Sequence, residues 1–110
     1  MKDFQFSLPQ NIIVGRGSSN RLHEAAGKIG GTHGLLISGP VLKRMGVADK
    51  ITDSLKKAGI PVDEFTDVEA NPSVDTVEKA VERYKKCGAD FIIALGGGSP
   101  MDVANAVAIV

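Results

Sequence analysis

The segment Phe91-Ile92-Ile93-Ala94-Leu95-Gly96-Gly97-Gly98-Ser99-Pro100-Met101-Asp102 decides the fold of this chain. Its first five residues form a continuous apolar run, which is typical of a parallel strand buried on both faces. After three glycines, Ser99 is predicted to be the N-cap of a helix, with Pro100 as its first residue and Asp102 completing a capping box. One glycine would be enough for a tight turn without a ligand. Three glycines before a helix N-terminus leave bare amides that favour a pyrophosphate.

Short apolar strands and amphipathic helices alternate along the rest of the chain. Extended segments are predicted at 4–8, 12–14, 34–38 and 60–65. A first helix is predicted from Ser18 or Ser19 to residue 29, and a short helical turn runs through Met45. Another helix is predicted over 47–58, with Val47, Ile51, Leu55 and Ala58 on one face. The last two helices are predicted from Asn71-Pro72 to Gly88 and after the three glycines. Strands that alternate with helices in this way predict an α/β fold, here a Rossmann-like parallel sheet flanked by helices.

The composition is that of a folded domain with balanced charge and no basic run. Hydrophobic residues make up 43% of the 110 residues, which supports one packed core and excludes disorder. Lys and Arg number 13, as do Asp and Glu, so the net charge is zero and nucleic acid has no basic surface to bind. No apolar run approaches the roughly 20 residues that cross a bilayer, and no signal-peptide pattern opens the chain. A single cysteine, Cys87, excludes an internal disulfide, so we expect a soluble, cytoplasmic protein.

The other reactive side chains are interpreted as surface residues. His23 and His33 have no carboxylate or second histidine at ligand spacing, so both are expected to be solvated. Cys87 falls in the last turn of a helix beside Lys85 and Lys86, whose charges favour a lowered thiol pKa. No partner base accompanies this cysteine in the sequence, so we interpret it as an ordinary helix-terminal residue.

A second glycine-containing segment, residues 15–20, comes close to the Rossmann fingerprint. It reads Gly-Arg-Gly-Ser-Ser-Asn, with Asn20 in place of the third glycine. Gly39 stands about where the acidic residue of that fingerprint belongs. Because both features are missing, we interpret the segment as a structural turn before the first helix.

The glycine-serine segment resembles a motif of the iron-dependent (group III) alcohol dehydrogenases, GGGSxxDxAK. Residues 96–99, Asp102 and Ala104 match this motif, and Asn105 stands where the family usually has lysine. The resemblance extends over essentially all 110 residues. Supporting landmarks lie at Phe6, Pro9, 14–17, 38–42 and 71–73.

This resemblance implies a site for NADP or NAD. Gly97, Gly98 and Ser99 would hold the pyrophosphate, Asp102 would lie near the nicotinamide, and Asn71 would contact the nucleotide from a neighbouring loop. Gly96, in the same turn, and Gly39 and Pro40, after the strand at 34–38, complete the expected set.

Gly39 bears on which of the two coenzymes, NAD or NADP, is bound. Many members of the resembled family have an aspartate here, which would bind the ribose hydroxyls and repel a 2′-phosphate. Because Gly39 lacks that carboxylate, the sequence predicts that NADP is accepted and even preferred. Lys43 and Arg44 are candidates for binding the added phosphate.

The last helix points to a longer protein. Asn105 is the only polar residue between Val103 and Val110, so this helix is expected to be covered on all sides. We therefore interpret residues 1–110 as a truncated nucleotide-binding domain. By the resemblance, the absent half is helical and holds Fe²⁺ or another divalent metal.

The resemblance implies an oxidoreductase that interconverts an alcohol with an aldehyde or ketone by metal-assisted hydride transfer, with this chain alone inactive. Small-molecule alcohols or aldehydes are the implied substrates, and a homodimer formed through residues 4–8 is the implied assembly. Two alternatives stay open. The first is another member of the same superfamily, such as a polyol or sugar-phosphate dehydrogenase or a dehydroquinate synthase-like lyase, and the second is a non-catalytic nucleotide-binding module.

Overall fold

A computed structural model describes residues 6–7, 12–15, 27, 30–96 and 98–108. The strands are β1 (Phe6–Ser7), β2 (Ile12–Gly15), β3 (Gly34–Ile37), β4 (Val62–Phe65) and β5 (Phe91–Leu95). The helices are α1 (Pro40–Arg44), α2 (Val47–Lys57), α3 (Val74–Cys87) and α4 (Gly98–Ala108).

The strands form one sheet in the order β1-β2-β5-β3-β4. The pairs β2-β5, β5-β3 and β3-β4 are parallel, and β1 adds to β2 as an antiparallel edge strand. β5 comes last in the chain but lies in the centre of the sheet. All five residues of β5 and all four of β3 are buried, which is why both strands are continuous apolar runs. The predicted α/β fold with a parallel sheet and flanking helices is confirmed.

Helices cover both faces of the sheet and divide the core in two. On one face α3 and α4 pack on the sheet, and on the other face α2 does. The first cluster consists of Leu35, Ile37, Phe65, Val68, Ala80, Ile92, Ala94, Val103, Ala104 and Val107. The second consists of Leu36, Ala48, Ile51, Leu55, Phe91, Ile93 and Leu95. Alternate residues of β3 and β5 point into opposite clusters, as the period of a strand requires.

The end of α2 explains why β4 is shorter than predicted. Gly59 has φ +87°, and its N–H donates to the Lys56 carbonyl, while the Ile60 N–H donates to the Leu55 carbonyl. These two bonds form a Schellman motif, so Ile60 belongs to the helix cap and the strand begins only at Val62. Ala58, which was predicted on the same face as Val47, Ile51 and Leu55, is the exposed C-cap of the helix.

Helix α3 begins later than the sequence analysis predicted. Ser73 is the N-cap and its Oγ accepts a hydrogen bond from the Thr76 N–H at 3.2 Å, so Asn71 and Pro72 lie in the preceding loop. The end of the helix is as predicted, with Gly88 at φ +76°. The predicted apolar stripe is also confirmed, because Ala80 is buried and its stripe neighbours pack against the core.

The start of α4 corrects the predicted capping box. The helix begins at Gly98, so Ser99 lies inside its first turn instead of capping it. Pro100 follows in the same turn, where its missing N–H costs no intrahelical bond. Only part of α4 is buried, through Val103, Ala104 and Val107, while Met101 and Asn105 are partly exposed.

Some predictions fall outside the described residues. These are the first helix up to residue 29 apart from Gly27, the turn at 16–20, His23 and most of the segment 4–8. Among the helices that are described, none has both the length and the apolar character needed to cross a membrane.

Candidate functional site

A cleft lies at the carboxyl edge of the sheet, where the chain leaves the two central strands toward opposite faces. β3 leads through α1 to α2 on one face, whereas the neighbouring β5 leads to α4 on the opposite face. Connections that diverge in this way leave a crevice between the strand ends, and α/β folds bind ligands there. The cleft has a volume of about 360 Å³. Its lining residues are Gly39, Val41, Leu42, Leu95, Gly96, Ser99 and Pro100.

Gly96 is the first residue after β5 and has a backbone conformation that favours glycine. Its φ is +112°, and a Cβ at this position would lie 3.2 Å from Leu42 Cδ1. A side chain here would therefore strain the backbone and crowd Leu42 in the cleft lining. The exposed Gly96 backbone instead forms part of the cleft surface.

Gly39 lies across the cleft, at the end of β3. It is the N-cap of α1 with an extended backbone, and Pro40 is the exposed first residue of that helix. A Cβ at Gly39 would lie 3.2 Å from the Val68 carbonyl oxygen, so any side chain here would press on the loop after β4. Gly39 thus brings no carboxylate to the cleft, and it lets the loop after β3 lie close to the loop after β4.

A hydrogen bond joins the loop before α3 to the first turn of α4. The Ser99 Oγ donates to the Ala70 carbonyl oxygen at 2.6 Å. The loop that carries Asn71 is therefore held beside the glycine turn, and the exposed Asn71 follows directly. Because the Ser99 hydroxyl proton is used in this bond, the Ser99 Oγ has only acceptor capacity left, and the donor that Ser99 retains is its backbone amide.

The first turn of α4 provides the donors that an anion needs. The N–H groups at Gly98 and Ser99 have no carbonyl one turn earlier in the helix, as in the first turn of any α-helix. They carry the positive end of the helix dipole, which favours a negatively charged ligand. Asp102 is exposed in the next turn. Gly97 lies outside the described residues.

Lys43 is held in a local network instead of facing an open phosphate site. Its Nζ lies 2.6 Å from Asp49 Oδ1 and 2.6 Å from Glu64 Oε1, and the Thr52 hydroxyl donates to the other oxygen of Glu64. The hydrogen bonds to Asp49 and Glu64 raise the pKa of Lys43 well above its ordinary value. Arg44, by contrast, is exposed and has no hydrogen-bond partner within the described part of the chain.

The opposite, amino edge of the sheet is closed by side chains. Both carboxylate oxygens of Asp90 accept hydrogen bonds from the Thr32 N–H, at 3.0 and 3.1 Å, and Oδ1 also accepts from the His33 N–H. The Thr32 hydroxyl donates to Oδ2 at 2.8 Å. Burial raises the pKa of Asp90, but these hydrogen bonds together lower it by more than burial raises it. The net pKa therefore lies below the ordinary value.

The prediction that His33 is simply solvated was wrong. Its Nε2 lies 2.7 Å from Asp63 Oδ2, and its side chain is only 27% exposed. Cys87 completes the group, with the three ligand atoms within 4.8 Å of one another. Burial raises the pKa of Cys87, and the nearby Asp63 carboxylate adds to the effect, so the lowering expected from Lys85 and Lys86 does not occur.

Sequence reasoning missed these contacts because they join residues far apart in the chain. His33 and Asp63 are 30 residues apart, and Thr32 and Asp90 are 58 apart. Leu42 and Leu95 in the cleft lining were also missed. A signal for both exists in the sequence, because Leu95 ends the buried apolar run and Leu42 follows Gly39-Pro40, and parallel strands end at the same edge of a sheet.

Comparison with known proteins identifies the family. The family model described as "Iron-containing alcohol dehydrogenase" matches residues 9–110. The chain belongs to this family. This agrees with the resemblance inferred from the glycine-serine segment.

Similar proteins include butanol dehydrogenases with different coenzymes in their names. The chain is 43% identical over 103 residues to the NADPH-dependent butanol dehydrogenase of Clostridium saccharobutylicum, covering 94% of this chain and 26% of that protein. It is 40% identical over 108 residues to the probable NADH-dependent butanol dehydrogenase 1 of Bacillus subtilis, covering 98% and 28%. The chain therefore spans about a quarter of the length of these relatives.

A solved structure shares the fold. NADH-dependent butanol dehydrogenase A of Thermotoga maritima superposes with a TM-score of 0.75 and is 38% identical. The match covers 97% of this chain and 27% of that structure. The chain corresponds to the N-terminal portion of such structures.

Proposed function

We propose that this chain is the dinucleotide-binding part of an NAD(P)-dependent oxidoreductase that interconverts an alcohol and an aldehyde or ketone. The observation that carries the proposal is the cleft between the ends of β3 and β5, with the exposed Gly96 on its surface and the first turn of α4 beside it. This is where an α/β fold binds a dinucleotide, and the chain belongs to the iron-containing alcohol dehydrogenase family.

The described residues fit a dinucleotide. The pyrophosphate would bind the amides of Gly98 and Ser99, while the missing side chain at Gly96 leaves the space that its Cβ would fill against Leu42. Gly97 belongs to the same proposed turn. Asn71 would contact the nucleotide from the adjoining loop, and Asp102 would lie on the nicotinamide side. The hydrogen bond from Ser99 to Ala70 would hold the loop of Asn71 beside the first turn of α4.

The coenzyme supplies the hydride chemistry when it is bound. A divalent metal, with iron as the family's namesake, would polarise the substrate oxygen as a Lewis acid. Within the described residues, the one group of three potential metal ligands lies at the far edge of the sheet from the cleft. We therefore place the reaction metal in a part of the protein beyond this chain, and expect residues 1–110 alone to be inactive.

We further propose that NADP is accepted. Gly39 brings no carboxylate to the cleft, so nothing at this position repels a 2′-phosphate. Of the two candidate cations, Arg44 is the better one because Lys43 is already bound by two carboxylates. The relatives named above include one NADPH-dependent and one NADH-dependent enzyme, so coenzyme choice varies among proteins similar to this chain.

Further proposals concern the setting of the protein. A net charge of zero and a sequence without a basic run favour a small-molecule substrate over nucleic acid. β1 is an edge strand whose outer side has no neighbour among the described strands, which suits a homodimer interface. We propose a cytoplasmic location, consistent with the lone cysteine.

Coenzyme titration of the full-length protein tests the central proposal. Gly96→Ala should weaken the binding of NADPH by about tenfold or more, roughly 1.4 kcal/mol, because the new methyl group strains the turn and enters the cleft. Binding would be followed by the fluorescence of the reduced nicotinamide.

Gly59→Ala is the matched control. Gly59 also has a positive φ but lies at the end of α2, with nothing within 4 Å of its Cβ position. It should lose a similar amount of stability and keep its affinity for NADPH. The proposal fails if the wild-type protein binds neither NADPH nor NADH, or if the two variants bind equally well.

A further inference from the structure

Three chemically different metal ligands meet at the amino edge of the sheet. His33 precedes β3, Asp63 lies in β4 and Cys87 ends α3, so each comes from a different element. The nearest pair is His33 Nε2 and Asp63 Oδ2 at 2.7 Å, and the Cys87 sulfur lies within 4.8 Å of both. All three are partly buried, and Asp63 is 46% exposed, so the group is reached from solvent.

The three ligand atoms lie within about 1 Å of the spacing that a four-coordinate ion requires. Zinc binds nitrogen, oxygen and sulfur at about 2.0–2.3 Å, which puts neighbouring ligand atoms roughly 3.3–3.7 Å apart. An ion could enter if the His33–Asp63 hydrogen bond opened by about 1 Å and the Cys87 sulfur moved inward by a similar distance. The fourth position would then be occupied by a water molecule from the exposed side.

The chemistry of the set favours zinc over the hard cations. A thiolate and an imidazole select zinc and its neighbours in the first transition series, whereas magnesium and calcium prefer oxygen ligands alone. The thiolate and the Asp63 carboxylate together neutralise the charge of a divalent ion, with His33 as a neutral ligand. On binding, Cys87 gives up to solvent the proton that it now shares with the Tyr84 carbonyl.

We propose that His33, Asp63 and Cys87 form a zinc site at the amino edge of the sheet. The site is separate from the coenzyme cleft. At about 3.3 Å per strand residue, the step from His33 to Ser38 alone spans roughly 16 Å. The ion would tie the start of β3 to β4 and to the end of α3. The proposal rests on these three side chains and holds whether or not the cleft binds a dinucleotide.

Cobalt substitution of the full-length protein provides a direct test. Co²⁺ bound by the Cys87 thiolate should give a sulfur-to-metal charge-transfer band in the near ultraviolet. Cys87→Ser should abolish this band, and His33→Asn should weaken cobalt binding by about tenfold or more. Both variants should hold one metal ion fewer per chain than the wild type after dialysis against zinc.

Asp53→Asn is the matched control, since it removes an exposed carboxylate on α2 without touching the cluster. It should leave the band and the metal content unchanged. An unchanged band in Cys87→Ser, or equal zinc content in the wild type and both variants, overturns the proposal. Circular dichroism confirms that each variant is folded before its metal content is compared.

A second measurement uses only the wild-type protein. Zinc should slow the alkylation of Cys87 by iodoacetamide at least about tenfold, because the bound thiolate is shielded from the reagent. Magnesium at the same concentration should have no effect. Mass spectrometry of the Cys87 peptide separates this reaction from that of any other cysteine, and equal rates with and without zinc overturn the proposal.

Discussion

The two edges of the sheet use glycine for opposite purposes. At the amino edge, a Cβ at Gly31 would lie 2.5 Å from Phe91 Cδ1, and one at Gly34 would lie 2.6 Å from Phe91 Cζ. The backbone there is packed directly on a buried ring. At the carboxyl edge, Gly96 is exposed at φ +112° and Gly39 lines an open cleft. Glycine lets the protein close one edge and keep the other open.

This difference separates stability from ligand binding. Substitutions near Phe91 should destabilise the fold and leave the coenzyme affinity of the folded protein unchanged. Substitutions that line the cleft should act mainly on the coenzyme. Variants of the full-length protein on either side of this division should differ accordingly.

Phe91→Ala should have the largest effect on stability. The side chain is fully buried, so its loss should lower the free energy of unfolding by about 3–5 kcal/mol. Urea unfolding measures the loss, and Phe91→Leu should show a smaller one. A loss of less than about 1 kcal/mol would show that the ring does not hold the amino edge together.

Gly34→Ala should cost about 1–3 kcal/mol, because the added methyl group overlaps the Phe91 ring. The same substitution should cost less in a Phe91→Leu background, where the ring atoms that it meets are absent. A double-mutant cycle by urea unfolding gives this coupling energy. Additive effects of the two substitutions would rule out the steric explanation.

Gly39→Asp should lower the preference for NADP over NAD by about tenfold, or about 1.4 kcal/mol, because the new carboxylate repels the 2′-phosphate. Dissociation constants for both coenzymes measure the change. Gly39→Ala is the control, since its Cβ presses on the Val68 carbonyl equally but carries no charge. Equal shifts in the two variants would mean that crowding, and not charge, sets the preference.

Asp90→Ala should have the smallest effect, about 1 kcal/mol at neutral pH, since the hydrogen bonds that it removes are exposed to solvent. The pKa of Asp90 is lowered in the folded state, so its contribution is complete above the ordinary value of 3.8. It disappears as the pH falls through the folded-state pKa.

Urea unfolding at several pH values tests this sign. The difference between the wild type and Asp90→Ala should be constant near neutral pH and shrink in acid. Asp67→Ala, which removes an exposed loop carboxylate, should show little change at any pH. A difference that grows in acid would contradict a lowered pKa of Asp90 in the folded state.

The strands of the central sheet could be predicted because burial on two faces requires continuous apolar runs. Residues 34–38 and 91–95 were found in this way, and the cleft follows from where these strands end. Helix ends were harder, because neighbouring residues compete for the same cap. Ser73 caps α3 two residues beyond the predicted Asn71 start, and α4 begins one residue before the predicted Ser99 cap.

Side-chain contacts between distant segments could not be predicted. No local pattern brings His33 to Asp63 or Thr32 to Asp90, since each contact depends on the register of neighbouring strands. The engagement of Lys43 by Asp49 and Glu64 likewise depends on how α1, α2 and β4 pack together. These contacts require the fold to be known first.

The position of β5 has a consequence for how the chain folds during its synthesis. β5 separates β2 from β3, so until Phe91–Leu95 has left the ribosome the sheet can form at most as two unconnected strand pairs. The inner edges of β2 and β3 then have free backbone groups that another growing chain can pair with. A translational pause before residue 91 would prolong this vulnerable stage, whereas rapid synthesis through residue 95 would shorten it.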